Sequence, residues 1–288
     1  MKFTNYMEWM WRKMNSGTLF VCPTPIGNLE DITLRTLKVL KEVDIIAAED
    51  TRHTIKLLNH YEIKKPLTSY HEHNRSEKGP IIVEKLINGQ NIALVSDAGM
   101  PGISDPGEDL IALAIDNNIK VVALPGATAS ITALILSGLP TDKFVFEGFL
   151  PSKKNERISQ LKRLSTEYRT MIFYESPHRL MYTLKDMKEV FGNRNISISR
   201  ELTKIYEETF RGTIEEGIEV FKDNRRGEFV IIVEGSEVKE VNPYMNLSIR
   251  EHIKAYMEEG LSKKDAVKTV ASDRNLPKNA VYKESIDV

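Results

Sequence analysis

The sequence predicts an α/β protein: two α/β domains, the first on a mostly parallel sheet, followed by a small C-terminal helical segment. Three observations carry that reading. Short β-branched runs alternate with helical patterns from Gly17 onward, the theme restarts after a Pro- and Gly-punctuated stretch at 138–154, and residues 247–288 hold helical patterns only. The composition permits real cores, since 41% of the 288 residues are apolar and 28% are charged. A largely disordered chain is excluded. No apolar run reaches the ~18 residues of a spanning helix.

In chain order, TLFVCPT (18–24), DIIAAE (44–49), LTSYHE (67–72), NIALVSDA (91–98) and KVVALP (120–125) read as buried strands. Helices are expected between them at 29–43, 51–61, 77–88 and 106–118, with Gly89 and the Asn117–Asn118 pair as stops. Five strands with helical crossovers require parallel pairing, because a parallel neighbour is reached only by crossing back over a sheet face. Residues 141–152 read as a linker between a first domain at 17–140 and a second at 153–236. In the second, strands are expected at 170–176, 195–202, 207–213 and 227–235, with helices at 177–191 and 214–224. The short gap between 202 and 207 predicts a mixed sheet. A further linker at 236–246 precedes three short helices with caps at Ser248 and Ser262. Residues 1–16 form an N-terminal extension to which no function attaches. Glu8, Arg12 and Lys13 interrupt it, so it is no secretory signal.

Lys and Arg total 40 against 41 Asp and Glu, so no global field draws the chain to a polyanion. Any nucleic-acid contact must be local. Cys22 is the only cysteine, which excludes an internal disulfide, a Cys-based zinc site and a thiol relay, and reads as a cytoplasmic chain.

Ligands of open parallel sheets bind beyond the carboxyl ends of the strands. Four loops lie there: PTPIGNLEDIT (23–33), AEDTRHT (48–54), SDAGMPGISDPG (96–107) and PGATAS (125–130). Gly99, Gly102 and Gly107 let a backbone approach a ligand closely. One such loop alone is commonly a surface turn; three at consecutive strand ends indicate a cleft. No G-x-G-x-x-G, phosphate-binding P-loop, H-E-x-x-H or G-x-S-x-G motif is present, and no metal is expected. Backbone loops without a phosphate cage suit a nucleoside with an amino-acid tail, such as S-adenosylmethionine.

The ordered set TPIGNLEDIT, AEDTR, SDAGMPGISDPG, LPGATA, EGFLP, FYESPHR, RELTKxxEExxRG and GEFVIIVEG resembles the tetrapyrrole methylase superfamily over about 17–283. Within it the chain is similar to the ribosomal RNA small subunit methyltransferase I group. PTPIGN stands in place of a glycine-richer first loop and SDAGMPG in place of a GGD-type sequence, departures that favour the RNA-modifying branch over corrin or haem chemistry. The resemblance implies two α/β domains with S-adenosylmethionine between them, in a homodimer. It also implies 2′-O-methylation of a decoding-centre cytidine of 16S rRNA in the small ribosomal subunit. By motif, Pro25, Gly27, Asp97, Ala98, Gly99, Ile103, Thr128 and Ala129 would hold the cofactor from the first domain. Tyr174, Leu202 and the start of GEFVIIV would close over it from the second.

In-line methyl transfer is mostly positioning, but a ribose 2′-hydroxyl needs an acceptor for its proton. The candidates are Glu49, Asp50, His71 and Glu175, with His73 beside them. His71 directly follows a strand, which aims it at the edge that carries the cofactor loops. Arg52, Arg75 and Arg179 are candidate clamps for phosphate or carboxylate, with surface ion pairing as the plain alternative for each. Residues 151–170 hold six basic and two acidic residues, which nominates Lys153, Lys154, Lys162 and Arg163 as RNA contacts. The final helices have a helix-turn-helix-like rhythm, and a bundle packed for stability is the alternative. Two other functions stay open: methylation of a tetrapyrrole or other small molecule, and a non-catalytic ribosome-binding role.

Overall fold

The computed structural model describes residues 16–223, 227–237, 244, 245, 247–274 and 276–285. The expected N-terminal extension (all but residue 16) and most of the expected linker at 236–246 lie outside the described residues. One compact unit runs to Ser236 and a second begins at Glu237.

The first unit holds two five-stranded sheets. The first is built from β1 (Thr18–Val21), β2 (Ile45–Ala48), β3 (Leu67–Ser69), β4 (Ile92–Val95) and β5 (Lys120–Ala123). Its order is β3-β2-β4-β1-β5, and every pairing is parallel. The crossovers are helices α1 (Leu34–Glu42), α2 (Thr51–His60), α3 (Arg75–Ile87) and α4 (Gly107–Asp116). Strands covered on both faces need apolar residues at every position; IIAA and IALV supply them and are wholly buried. Side chains then alternate between two cores. Ala47 and Leu94 join Ile82, Leu86 and Leu110 on one face, while Ile46, Ala48 and Val95 join Leu40 and Leu58 on the other. Gly89 and Asn118 take the left-handed conformation (φ 90° and 58°) that ends α3 and α4 where the sequence predicts.

The second sheet is mixed, as the short connections predict. It comprises β6 (Phe144–Phe149), β7 (Thr170–Glu175), β8 (Asn195–Arg200), β9 (Glu208–Thr213) and β10 (Phe229–Val233), in the order β6-β7-β10-β8-β9. Only β6 and β7 pair in parallel.

Two differences from expectation matter for the site. The segment 141–152, expected as a linker, carries β6, an edge strand whose register shifts between Phe146 and Gly148. Flanking Pro and Gly residues hide it in the sequence, and the irregularity breaks the alternation that marks a strand. Helix α5 (Ala129–Ser137) is not among the expected elements. Its sequence ASITALILS is apolar all round and shows no stripe. It leaves the first sheet and packs Ala133 and Leu134 against Ile172, Val230 and Ile232 of the second. The opposite face of that sheet is covered by α6 (Lys154–Leu164), α7 (Leu180–Phe191) and α8 (Ile214–Phe221).

The unit from Glu237 contains α9 (Ile249–Glu258), α10 (Lys263–Asp273) and α11 (Lys278–Glu284) around Ile253, Val267, Val270 and Val281. Ser248 and Glu251 form a capping box on α9, and Ser262 accepts from the Asp265 N–H on α10, so both expected caps are in place. No helix among the described residues is long and apolar enough to cross a membrane.

Candidate active site

A partly open cleft lies in the first unit, lined by residues that come from both sheets. Of the residues expected to hold a cofactor, Ala98, Gly99, Ile103, Thr128, Ala129, Tyr174 and Leu202 line it. Pro25, Gly27 and Asp97 stand behind the wall rather than in it, and Ile26 is the residue of the first loop that lines the cleft.

The first-sheet wall is mostly backbone. Thr24 and Gly99 exchange both main-chain hydrogen bonds, at 2.9 and 3.0 Å, which joins the loops after β1 and β4. Gly99 has φ +81°, and a Cβ there would lie 3.2 Å from Ile26 Cγ2. Asp105 braces the remainder by accepting from the N–H groups of Gly102 (2.8 Å) and Gly107 (2.7 Å). Gly27 has a different task from the one expected. A Cβ on it would lie 2.4 Å from the Leu202 carbonyl oxygen, so its bareness lets the first loop press against the 201–204 loop. The Asn28 N–H donates to Thr203 Oγ1 at 2.8 Å across the same seam.

The second wall is mostly side chain. Tyr174 stands edge-on to Phe146 and Phe149, with centroids 5.0 and 5.6 Å away. Burial pushes its phenol above the ordinary value, and Ser130 opposes that. Phe149, Glu201, Lys204 and Glu228 complete this wall. Phe149 escapes sequence reasoning because its strand reads as a linker. Glu201 and Lys204 sit inside the RELTK motif, which is the available signal. Ser104, Glu201 and Thr203 hold positive φ (65°, 52° and 61°) without being glycine. Such strain persists only where its surroundings enforce it, and it gathers here around one cleft.

The four candidate bases separate by their partners. The Glu175 side chain is fully buried and its carboxylate is committed to the Ser176 N–H (2.8 Å), the Thr183 hydroxyl (2.5 Å) and the Arg179 guanidinium (3.4 Å). These bonds anchor it in place, and of the four candidates it alone lines the cleft. Asp50 caps α2 and pairs twice with Arg52, at 3.1 and 2.8 Å, which holds its carboxyl well below the usual range. Glu49 differs. Burial pushes its carboxyl above the usual value, helped by the charges of Asp97 and Asp105, while the Asp97 N–H and His71 pull it down. It accepts that N–H at 3.3 Å, and the Asp97 carboxylate accepts from the Asp50 N–H at 3.1 Å, so Asp97 ties the ends of β2 and β4 together. His71 stands in the neighbouring loop, outside the lining, held by Asn74. Cys22 is buried, which pushes its thiol up to about 12 and removes it as a nucleophile.

The expected anion clamps are mostly occupied. Arg52 pairs with Asp50 and Arg75 with Asp109. Arg179 turns inward to the carbonyls of Leu150 (2.5 Å) and Pro151 (3.2 Å), tying down the end of β6. The basic stretch is also less basic than its sequence. Arg157 is buried in an ion pair with Asp186 at 2.6 Å, and Arg169 chelates Glu167. Lys153 pairs with Glu156 at 3.1 Å and Lys154 approaches Asp186 at 4.0 Å, both lysines being largely exposed. Lys162 and Arg163 are exposed on the last turn of α6.

Residues 18–217 match the family described as Tetrapyrrole (Corrin/Porphyrin) Methylases. The chain is 52% identical over 273 residues to the ribosomal RNA small subunit methyltransferase I of Halalkalibacterium halodurans, covering 93% of this chain and 94% of the relative. It is 50% identical to the Bacillus subtilis protein of the same name, covering 94% of each. Among solved structures, it is similar to the uroporphyrin-III C-methyltransferase of Thermus thermophilus complexed with S-adenyl homocysteine. That match has a TM-score of 0.54 at 16% identity, over 75% of this chain and 97% of that one.

Proposed function

We propose, from the premise that this chain belongs to the tetrapyrrole (corrin/porphyrin) methylases, that its reaction is methylation of small-subunit ribosomal RNA. It is an S-adenosylmethionine-dependent methyltransferase. The acceptor we assign is the ribose 2′-oxygen of a cytidine in the decoding centre of 16S rRNA. The observation that carries this reading is identity of about half the residues across more than nine-tenths of both chains. The solved uroporphyrin-III and cobalt precorrin-4 methyltransferases share the fold at 15–16% identity and give no support for a tetrapyrrole substrate.

The cleft suits the cofactor. Apolar Ile26, Met100, Ile103, Phe149 and Val230 offer faces for an adenine, Glu228 would face a cationic group, and Glu201 and Lys204 pair with each other at 3.1 Å at the rim of the same cleft. The loop at 98–99 brings main chain to the cleft without side-chain bulk at Gly99. When bound, S-adenosylmethionine supplies a methyl group on an electron-poor sulfonium carbon. The protein's own residues do the rest. Ala98, Gly99, Thr128 and Ala129 position from the first sheet, and Tyr174 and Leu202 enclose and exclude water. We assign the proton of the ribose hydroxyl to Glu49, which does not line the cleft itself but accepts from the N–H of Asp97, next to the lining residue Ala98. A carboxylate shifted upward is a better match to that task than the ion-paired Asp50.

RNA is held, in this reading, by Lys154, Lys162 and Arg163 on α6 and by the helices of residues 247–288. A homodimer would cover Phe144, Phe146 and Phe149 on the edge strand β6, which are 40%, 38% and 51% exposed. The enzyme works in the cytoplasm, beside its substrate. Calorimetry tests the cofactor assignment. Micromolar binding of S-adenosylmethionine or its demethylated product, about −8 kcal/mol, is expected; heat with NAD or ATP and none with either of these would overturn it.

A further inference from the structure

The turn between β8 and β9 leads from the cleft out to solvent. Its first residues belong to the site, where Glu201, Leu202 and Lys204 line the wall. The next two, Ile205 and Tyr206, are 95% and 82% exposed, the one adjacent pair among the exposed large apolar side chains of the described residues. Single apolar side chains on a surface are ordinary; a contiguous pair beside a binding cleft is not. Two residues of chain span at most about 7 Å, so the Tyr206 Cα stays that close to the Lys204 Cα.

The turn is firmly braced. Glu201 and Thr203 hold positive φ (52° and 61°) without being glycine. The Lys204 N–H donates to the Glu201 carbonyl at 3.0 Å, and the Glu207 N–H to the Lys204 carbonyl at 3.1 Å. The Glu207 carboxylate accepts the Thr203 N–H at 2.7 Å, and Thr203 Oγ1 accepts the Asn28 N–H at 2.8 Å. This bracing keeps the strain and sets two apolar side chains in water. The charges of the turn are paired within it, Lys204 with Glu201 at 3.1 Å and Arg200 with Glu208 at 2.6 Å. It therefore offers a partner an aromatic and an aliphatic face, which suit a nucleobase better than a phosphate.

A ribose oxygen reaches an enclosed sulfonium carbon when its nucleotide leaves the stack, and the neighbouring base is then bared. Bared bases stack on aromatic side chains, and an aliphatic side chain inserted at a base step keeps the step open. We propose that the tip of this turn docks the substrate RNA: Tyr206 stacks on the base beside the target nucleotide, and Ile205 fills the opened step. The proposal rests on the reading of the cleft as an RNA ribose methylation site. The competing occupant is a second copy of the chain. The dimer face proposed above lies on β6, and the order β6-β7-β10-β8-β9 puts this turn at the opposite edge of the sheet.

Ring, apolar bulk and assembly are separable by experiment. Filter binding of small ribosomal subunits, and KM for methyl transfer to them, are measured for Tyr206→Phe, Tyr206→Leu and Tyr206→Ala. Stacking of one base on one ring is worth ~5–100-fold in affinity. The leucine and alanine variants should weaken Kd and raise KM by that much, with kcat, cofactor affinity and melting temperature unchanged. The phenylalanine variant keeps the ring and should bind like the unaltered protein. Ile205→Ala should act in the same direction and by less. Unaltered affinity in Tyr206→Ala, or full affinity in Tyr206→Leu, would overturn the stacking contact. So would a protein that sediments as a dimer when unaltered and as a monomer in Tyr206→Ala, which would make the turn a seam between copies. Filter binding involves no turnover: a protein that binds small subunits through Tyr206 yet transfers no methyl keeps the contact and loses the functional reading, whereas one that does not bind them overturns the contact.

Discussion

The two walls of the cleft are made by different means. The parallel sheet ends all its strands at one edge, so its loops converge there, and it contributes glycine-rich backbone: the Thr24–Gly99 bridge and the turn braced by Asp105. The mixed sheet runs strands both ways and has no single carboxyl edge. It contributes side chains instead: Tyr174 among Phe146 and Phe149, and the strained 201–204 loop with Leu202 and Lys204. Backbone gives close approach; side chains give enclosure and charge. A wall of the first kind should fail when it gains atoms, and one of the second kind when it loses them.

The largest effect should come from the proton acceptor below the first wall. Glu49→Gln should cut turnover by ~10²–10⁴ with cofactor affinity unchanged. It should also stabilise the protein in one pH range. Because the folded-state pKa of Glu49 is raised, the folded form holds its proton more tightly, and stability falls as pH rises through and above the ordinary carboxylate range. The melting temperature of Glu49→Gln should therefore exceed that of the unaltered protein at pH 7 and match it at pH 3. An equal difference at both pH values would place the effect elsewhere.

Adding atoms to the first wall comes next. Gly99→Val puts a β-branched residue at φ +81°, costing ~1–3 kcal/mol in strain and closing the approach. Calorimetry should show cofactor affinity down ~10²-fold or more in a protein whose circular dichroism is still native. Normal affinity would reduce the loop to a surface turn. Removing atoms from the second wall by Tyr174→Ala should weaken the cofactor ~10–100-fold and destabilise by about 2–4 kcal/mol. Gly27→Ala probes the seam between the walls. It should lower both stability, by about 1–3 kcal/mol, and affinity, because the Leu202 carbonyl lies 2.4 Å from the new Cβ. A change in affinity without one in melting temperature would contradict that reading.

The smallest effect is expected from charges that do not line the cleft. Replacing Lys153, Lys154, Lys162 and Arg163 by Ala should leave cofactor binding intact and weaken RNA a few-fold. Filter binding at several salt concentrations should show the slope falling by ~0.7–0.9 for each phosphate the protein no longer neutralises. Removing 247–288 should act in the same direction. A lower melting temperature with an unaltered slope would make that segment structural.

The same contrast explains what could be read from the sequence. Continuous apolar runs such as IIAA and IALV announce a parallel sheet, and the rule for such sheets locates the loops at 96–107 and 125–130, within which the family resemblance singles out Ala98, Gly99, Thr128 and Ala129. No such rule exists for the mixed sheet, so Phe149 on β6 goes unrecognised, and α5 is concealed by being apolar all round. Among polar residues, type alone misleads. Glu175 and Arg179 look functional in sequence, yet each is held by internal partners, as far as 29 residues away along the chain. Gly27 looks like a cofactor glycine and proves to be the meeting point of two loops, a distinction only the fold reveals.

The central claim is that this cleft moves a methyl group from S-adenosylmethionine to a ribose oxygen of small-subunit RNA. The most direct measurement incubates the purified protein with unmethylated small subunits and methyl-labelled cofactor, then maps the RNA by mass spectrometry. The account predicts one added methyl, on the ribose of a single decoding-centre cytidine, lost in Glu49→Gln. Label on a base, or none on RNA while a tetrapyrrole becomes methylated, would contradict it.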